Sequence, residues 1–260
     1  LLQVLHETDR TIALQAAVAI ARIARIDYPN DWPKLIPMMR EAIETACASI
    51  HRAASAGEPM DATAQDTLLL LRASDVLRQC LKEFETVRVL AGKLRMTDLA
   101  RTLLPVLQPA FEQLFADTFD LREATAASVA TWSHTPGVHE RIRACHLLFK
   151  VLHRLALADT GIISVQVQQR QGKGDNLAYA FFVCTPRQLE TLMQLRLYVV
   201  EAARADAQLA SLVVPLTKYM TVYAKFHLAL VNKMHNKVAQ WPGWAEVAWW
   251  YWTVLRTAVQ

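Results

Sequence analysis

Ile20-Ala21-Arg22-Ile23-Ala24-Arg25-Ile26-Asp27-Tyr28-Pro29-Asn30-Asp31-Trp32-Pro33-Lys34-Leu35 joins the end of one helical pattern to the start of another. Its first half closes a helical pattern. Working upstream, apolar side chains recur at Ile12, Ala16, Ala19, Ile20 and Ile23, the i, i+4, i+7, i+8, i+11 rhythm of one helix face. Asp9 stands where an N-cap belongs. Pro29 ends the pattern, because the residue before a proline avoids the helical region. Downstream, Asp31 can cap a second helix, and Pro33 falls in its first turn, where a missing N–H is harmless. That helix is predicted from about Trp32 to Ser55 through Leu35, Met38, Met39, Ile43, Cys47 and Ile50, with Pro37 bending its start. A link as short as 27–30 implies that the two helices, residues 10–55, pack as an antiparallel hairpin.

The rest of the chain continues in the same manner. After the loop Gly57-Glu58-Pro59, a third helix is predicted from Ala62 to Glu83. A fourth runs from Phe84 to Asp117, with Pro105 and Pro109 expected to kink or divide it. These two form the pair 62–117. Residues 119–133 and 138–158 form another, separated at Pro136-Gly137. Residues 160–185 are the least helical and are expected to be an irregular loop or small hairpin with an exposed tip at 168–176. Helix resumes at Pro186, with Thr185 as cap, to about Ala207, then from Ser211 to Val238 with Pro215 in its first turn. That is the pair 186–238. A last helix from 245 follows Trp241-Pro242-Gly243-Trp244. The spacing of roughly 40 to 55 residues per pair fits HEAT-type repeats. The fold class is therefore expected to be all-α, a HEAT-repeat α-solenoid of stacked antiparallel pairs. Periodicity alone leaves a globular helical bundle open.

Composition agrees with a helical, well-packed chain. Of 260 residues, 53% are hydrophobic, 20% are charged and only 7 are glycine, too few for a turn-rich β-protein. The net charge of +4 falls short of the basic stripe of a dedicated nucleic-acid binder, so nucleic acid is not an expected partner. Charges interrupt every apolar run before it reaches the roughly 18 residues of a membrane span, and no membrane insertion is expected. The opening at Leu1, in mid-pattern, reads as that of a fragment.

Sites of chemistry are hard to find. Gly172-Lys173-Gly174 lacks the spacing and context of a phosphate-binding loop. His139, His146 and His153 lie seven apart on one stripe, about 10 Å between neighbours, too far to share a metal; surface or inter-helix histidines are expected. Cys47, Cys80, Cys145 and Cys184 form no C-x-x-C pair and read as buried, reduced thiols. No nucleophile motif stands out, and Arg40–Glu44 can form an i, i+4 pair. Neither a catalytic residue nor a cofactor is expected, and the chain does not read as an enzyme. In the cluster Trp241, Trp244, Trp249, Trp250, Tyr251 and Trp252, neighbouring rings project about 100° apart. Two faces must then be covered, by core packing or by a partner, and some rings are expected to stay exposed.

The segment 20–35 resembles an early HEAT repeat of the importin-β-type karyopherins, in which a helix ending I-A-R-x-D-x-P precedes x-x-W-P-x-L. It is most similar to the importin-eleven branch and its fungal counterparts. Leu147-Leu148-Phe149-Lys150-Val151-Leu152-His153-Arg154-Leu155, Tyr223-Ala224-Lys225-Phe226-His227-Leu228 and Trp249-Trp250-Tyr251-Trp252 resemble later parts of that family. The family motif falls on Asp27, Tyr28, Pro29, Trp32 and Pro33, which fix the turn, with Trp32 offering a large apolar surface to lock it. The resemblance implies a nuclear transport receptor that shuttles between nucleus and cytoplasm and binds a Ran-type GTPase in its GTP form, protein cargo and nucleoporins. The family's amino-terminal importin domain should precede the Trp-Pro repeat and lie outside this chain. The second helix of that repeat would face inward, making Arg40, Glu41 and Glu44 candidate partner contacts. A HEAT-repeat scaffold outside nuclear transport is the alternative.

Overall fold

The structure, a computed structural model, describes residues 2–87, 90–119, 126–159, 177–203, 206–238 and 243–259. These residues form helices α1 (Leu2–Leu5), α2 (Arg10–Asp27), α3 (Leu35–Ser55), α4 (Ala64–Glu85), α5 (Leu90–Thr118), α6 (Ala126–Ser133), α7 (Val138–Asp159), α8 (Leu177–Ala202), α9 (Ala207–Val238) and α10 (Trp244–Val259), with a 3-10 turn at Met60–Thr63. No strand occurs among the described residues, and the fold is all-α.

Several boundaries differ from the sequence expectation, each for a local reason. Asp9 does cap α2, its carboxylate accepting from Thr11 N at 2.7 Å and Ile12 N at 3.0 Å. Asp31 does not cap α3. That helix starts only at Leu35, and the Asp27 carbonyl accepts from Asp31 N at 2.7 Å and Trp32 N at 3.2 Å, so 27–32 is a self-contained turn. The prolines of α5 do not divide it. Pro105 and Pro109 both lie on its exposed side, where water can solvate the carbonyls they leave unbonded.

Of the expected irregular segment, 160–176 lies outside the described residues, including the 168–176 tip. From Leu177 onward the chain is helix, and α8 passes straight through Pro186. Thr185 is no N-cap. Its hydroxyl donates to Phe182 O at 2.7 Å, the carbonyl that an N–H at position 186 would have used. The start of α9 also moves upstream, because Asp206 accepts from Gln208 N at 2.8 Å and Leu209 N at 3.3 Å. Pro215 then sits in the body of the helix rather than its first turn.

Helix α6, expected to pair with α7, packs mainly on α8 and α9. Apart from α1 and α6, the helices alternate between two layers in chain order. In one, α2 packs on α4, α4 on α7 and α7 on α9; in the other, α3 packs on α5, α5 on α8 and α8 on α10. Across the layers, α3 meets α4, α5 meets α7 and α8 meets α9. Cross-links fix the polarity. Within the first layer, Arg141 at the start of α7 bonds Thr63 just ahead of α4, while Arg154 pairs with Glu85 at their far ends. His139 likewise meets Ser211, and Lys233 meets Leu157 O, so α4, α7 and α9 run parallel. Between layers the sense reverses. Ser49 near the end of α3 bonds Asp66 at the start of α4, and Thr185 early in α8 meets His227 late in α9. The hairpin expected between α2 and α3 is replaced: both pack on α4 instead.

That choice follows from side-chain size. The buried stripe of α2 is Ala13, Ala17, Ala21 and Ala24, while Ile12 and Ile23 are 54% and 50% exposed. Alanines let α2 approach α4, whose residues from Leu70 to Leu77 are buried without a break. Further along, Phe149 of α7 stacks on Tyr223 of α9 at 3.9 Å and meets Phe111 of α5 and Phe181 of α8, joining both layers through one aromatic core.

Candidate functional site

The family-like turn is structural in its contacts. Tyr28 stacks on Phe84 of α4 with ring centroids 5.5 Å apart, and the Arg95 guanidinium lies 5.5 Å from the same ring. Trp32 is half-buried against the core, whereas Pro29 and Pro33 are exposed. On α3, Arg40 and Glu44 form the expected i, i+4 pair at 3.1 Å, and Glu41 is exposed. Arg40, Tyr28 and Pro29 share a shallow concavity with Arg95 and Asp98 of α5. Two arginines face one carboxylate there, with Arg40 already paired to Glu44, and nothing converges on a point.

A different site collects the charge. A cavity of about 710 Å³ opens on the first layer, between α4, α7 and α9, with the start of α5 at one side. Helix α4 contributes Arg78, α7 contributes Lys150 and Arg154, and α9 contributes Lys218, Lys225 and Lys233; Lys93 of α5 completes the rim. Against these seven cations stands one carboxylate, Glu85. Phe84, Met96, Leu157 and Val222 supply apolar lining. A second cavity continues the first. It shares Arg78, His146, Lys150 and Lys218 and extends the trough to Arg143 of α7 and Arg10 of α2, with Asp75 and Glu140 as its acidic members.

Compensation within this trough is incomplete. Arg154 pairs with Glu85, and Arg78 lies 3.8 Å from Asp75. Lys150, Lys218 and Lys225 form no ion pair among the described residues. Arg78 Nε and His146 Nε2 are buried without a hydrogen bond. Burial and the neighbouring cations act together on three groups of α7. Burial pushes the Lys150 ammonium below its ordinary value, and Arg78, Lys225 and Lys218 push the same way. His146 is lowered to about 3 by burial, then by Lys150, Arg78 and Lys218. His153 is lowered to about 4 by burial, then by Arg154, Lys233 and Lys225. Both histidines are therefore neutral at pH 7.

The histidine stripe was visible in the sequence, and its neighbours were the missed signal. His139 meets Ser211 at 2.9 Å and lines the second cavity. Arg143, Lys150 and Arg154 follow His146 and His153 around α7, and Lys218 and Lys225 repeat at the same seven-residue spacing on α9. Each stripe alone looks like a solvated face. Only the parallel packing of α7 against α9 brings the two together. No group of three His, Cys, Asp or Glu side chains converges as a metal site among the described residues. Cys47, Cys80 and Cys145 are free and buried, and burial pushes each thiol up to about 12. Of the aromatic cluster, Trp244 packs on Phe182, Tyr251 bonds His227, and Trp249 and Trp252 are exposed; Trp241 and the side chain of Trp250 lie outside the described residues. No helix among the described residues is long and apolar enough to cross a membrane. No protein-family model matches the chain, and neither a curated protein nor a solved structure shows significant similarity to it.

Proposed function

We propose that this chain is a segment of a HEAT-type α-solenoid from a nuclear transport receptor of the importin-β type, a protein-binding surface rather than an enzyme. The observation that carries the proposal is the alternation of the long helices between two layers, parallel among α4, α7 and α9 and antiparallel between α3 and α4 and between α8 and α9. Such an array buries its core between neighbours and presents long faces on which partners can dock. The Trp-Pro turn, which clamps the end of α2 onto α4 through Tyr28 and Phe84, adds the sequence likeness. In this reading the receptor engages a Ran-type GTPase in its GTP form, exchanges it for protein cargo, and meets nucleoporins while passing between nucleus and cytoplasm. GTPase and cargo would be coupled through the curvature of the array.

A pulldown with the receptor and the GTPase in both nucleotide states tests this. Retention of the GTP form alone is expected. Equal retention of the GDP form, or of neither, would overturn the transport reading and favour a helical-repeat scaffold.

A further inference from the structure

The trough on the first layer has a use that a general docking face does not specify. We propose that it holds an extended acidic peptide segment of a protein partner, whose carboxylate or phosphoryl groups pair with Lys150, Lys218 and Lys225 while an apolar side chain rests against Leu157, a half-buried member of the apolar lining.

Charge comes first. The whole chain carries a net charge of only +4, yet seven cations and one carboxylate line a single cavity. Like charges this close repel, and an anionic occupant relieves that repulsion while gaining charge-assisted hydrogen bonds. Compensation of helix dipoles does not explain the pattern. Lys150, Lys218 and Lys225 lie well before the last turns of α7 and α9, outside the reach of the C-terminal partial charge. Shape comes second. Lining residues on α7 run from His139 to Ala158, roughly 28 Å at 1.5 Å per residue. A compact anion fills only part of that length, whereas a peptide of about nine residues spans it. The floor comes third. Its apolar residues suit a peptide side chain, and no Trp or Tyr lines the first cavity to stack bases; its rings are the buried Phe84 and the half-buried imidazoles of His146 and His153.

This names a partner chemistry for the receptor surface and rests on that reading only in taking the occupant to be protein. Fluorescence anisotropy on the 260-residue chain tests it with labelled peptides of about twelve residues, ~40 Å when extended. One is Glu-rich around a central Leu, one carries phosphoserine in place of Glu, and one carries Gln. An oligothymidylate of equal charge is the fourth probe. Micromolar binding of an acidic peptide is expected, with the Gln peptide at least about tenfold weaker. The tighter of the two acidic peptides identifies the anion. Lys218→Glu with Lys225→Glu, both exposed, is expected to weaken binding about tenfold or more, and the Lys→Gln pair less, in the same direction. Lys34→Glu, exposed and outside the trough, is expected to stay within about twofold. Tighter binding of the oligonucleotide, equal binding of the Gln peptide, or an equal effect of Lys34→Glu would overturn the proposal. Loss of peptide binding with GTP-form retention intact sinks the trough alone; the reverse sinks the transport reading alone.

Discussion

His227 holds three helices through one imidazole. Thr185 spends its only hydroxyl proton on Phe182 O, so at its 2.9 Å contact with His227 Nε2 it must accept. Nε2 therefore carries the ring proton, and Nδ1 accepts from the Tyr251 hydroxyl at 2.7 Å. Helices α8, α9 and α10 are joined through this ring. Burial keeps it neutral, lowering His227 to about 3, with His153 adding a smaller push. A histidine whose folded value lies below its unfolded value of about 6.5 takes up its proton on unfolding. Stability is thus fully present above pH 6.5 and falls as pH drops towards 3. The slope is at most about 1.4 kcal/mol per pH unit for each such group. His146 and His153 act in the same direction. Urea titrations between pH 7 and 5 should show the midpoint falling, opposed in part by Asp75 and Glu85, whose carboxyls burial raises. His227→Gln should flatten the slope whatever it does to the midpoint at pH 7. A slope left unchanged by His227→Gln would contradict the neutral-ring assignment.

At the scale of the element, α2 makes the sharpest claim. Its Ile residues look like a core face, but its alanines are the ones buried. Ala21→Leu would force extra volume between α2 and α4, at an expected loss of about 1–3 kcal/mol. Ile23→Ala, at a half-exposed position, is expected to change stability by no more than about 0.5 kcal/mol. Chemical denaturation of both variants decides the matter, and a larger loss for Ile23→Ala would reverse the face. Hydrophobicity misled the sequence reading because it weighs Ile above Ala, whereas close helix contact selects for small size. Helix identity was legible: nearly every periodic segment is a helix, and Asp9 caps where expected. The limits went astray at prolines. Pro186 reads as a helix start until Thr185 is seen to satisfy the carbonyl it orphans, and nothing in the sequence announces that bond in advance.

For the whole molecule, the layering and the trough share one cause of illegibility, since both depend on which helix neighbours which. Loop length between α2 and α3 pointed to a hairpin; the size of the facing side chains sent both to α4. The lysines of α7 and α9 became a site only once those helices lay parallel. The same connectivity has an energetic consequence. Helix α4 packs on α2, α3, α5 and α7, so freeing its amides means opening both layers at once. Helix α10 packs on α8 and is tied to α9 through Tyr251, so it can detach with little else disturbed. In an array held by nearest-neighbour contacts, local opening is easiest at the ends and hardest in the middle. Hydrogen exchange read by mass spectrometry is therefore expected to be slowest in 64–85, intermediate in α9, and fastest among the long helices in 244–259. A compact bundle, by contrast, opens as one unit and protects its helices alike. Equal protection of α4 and α10 would mean that the two layers close around a common core, and the transport reading would lose the arrangement on which it stands.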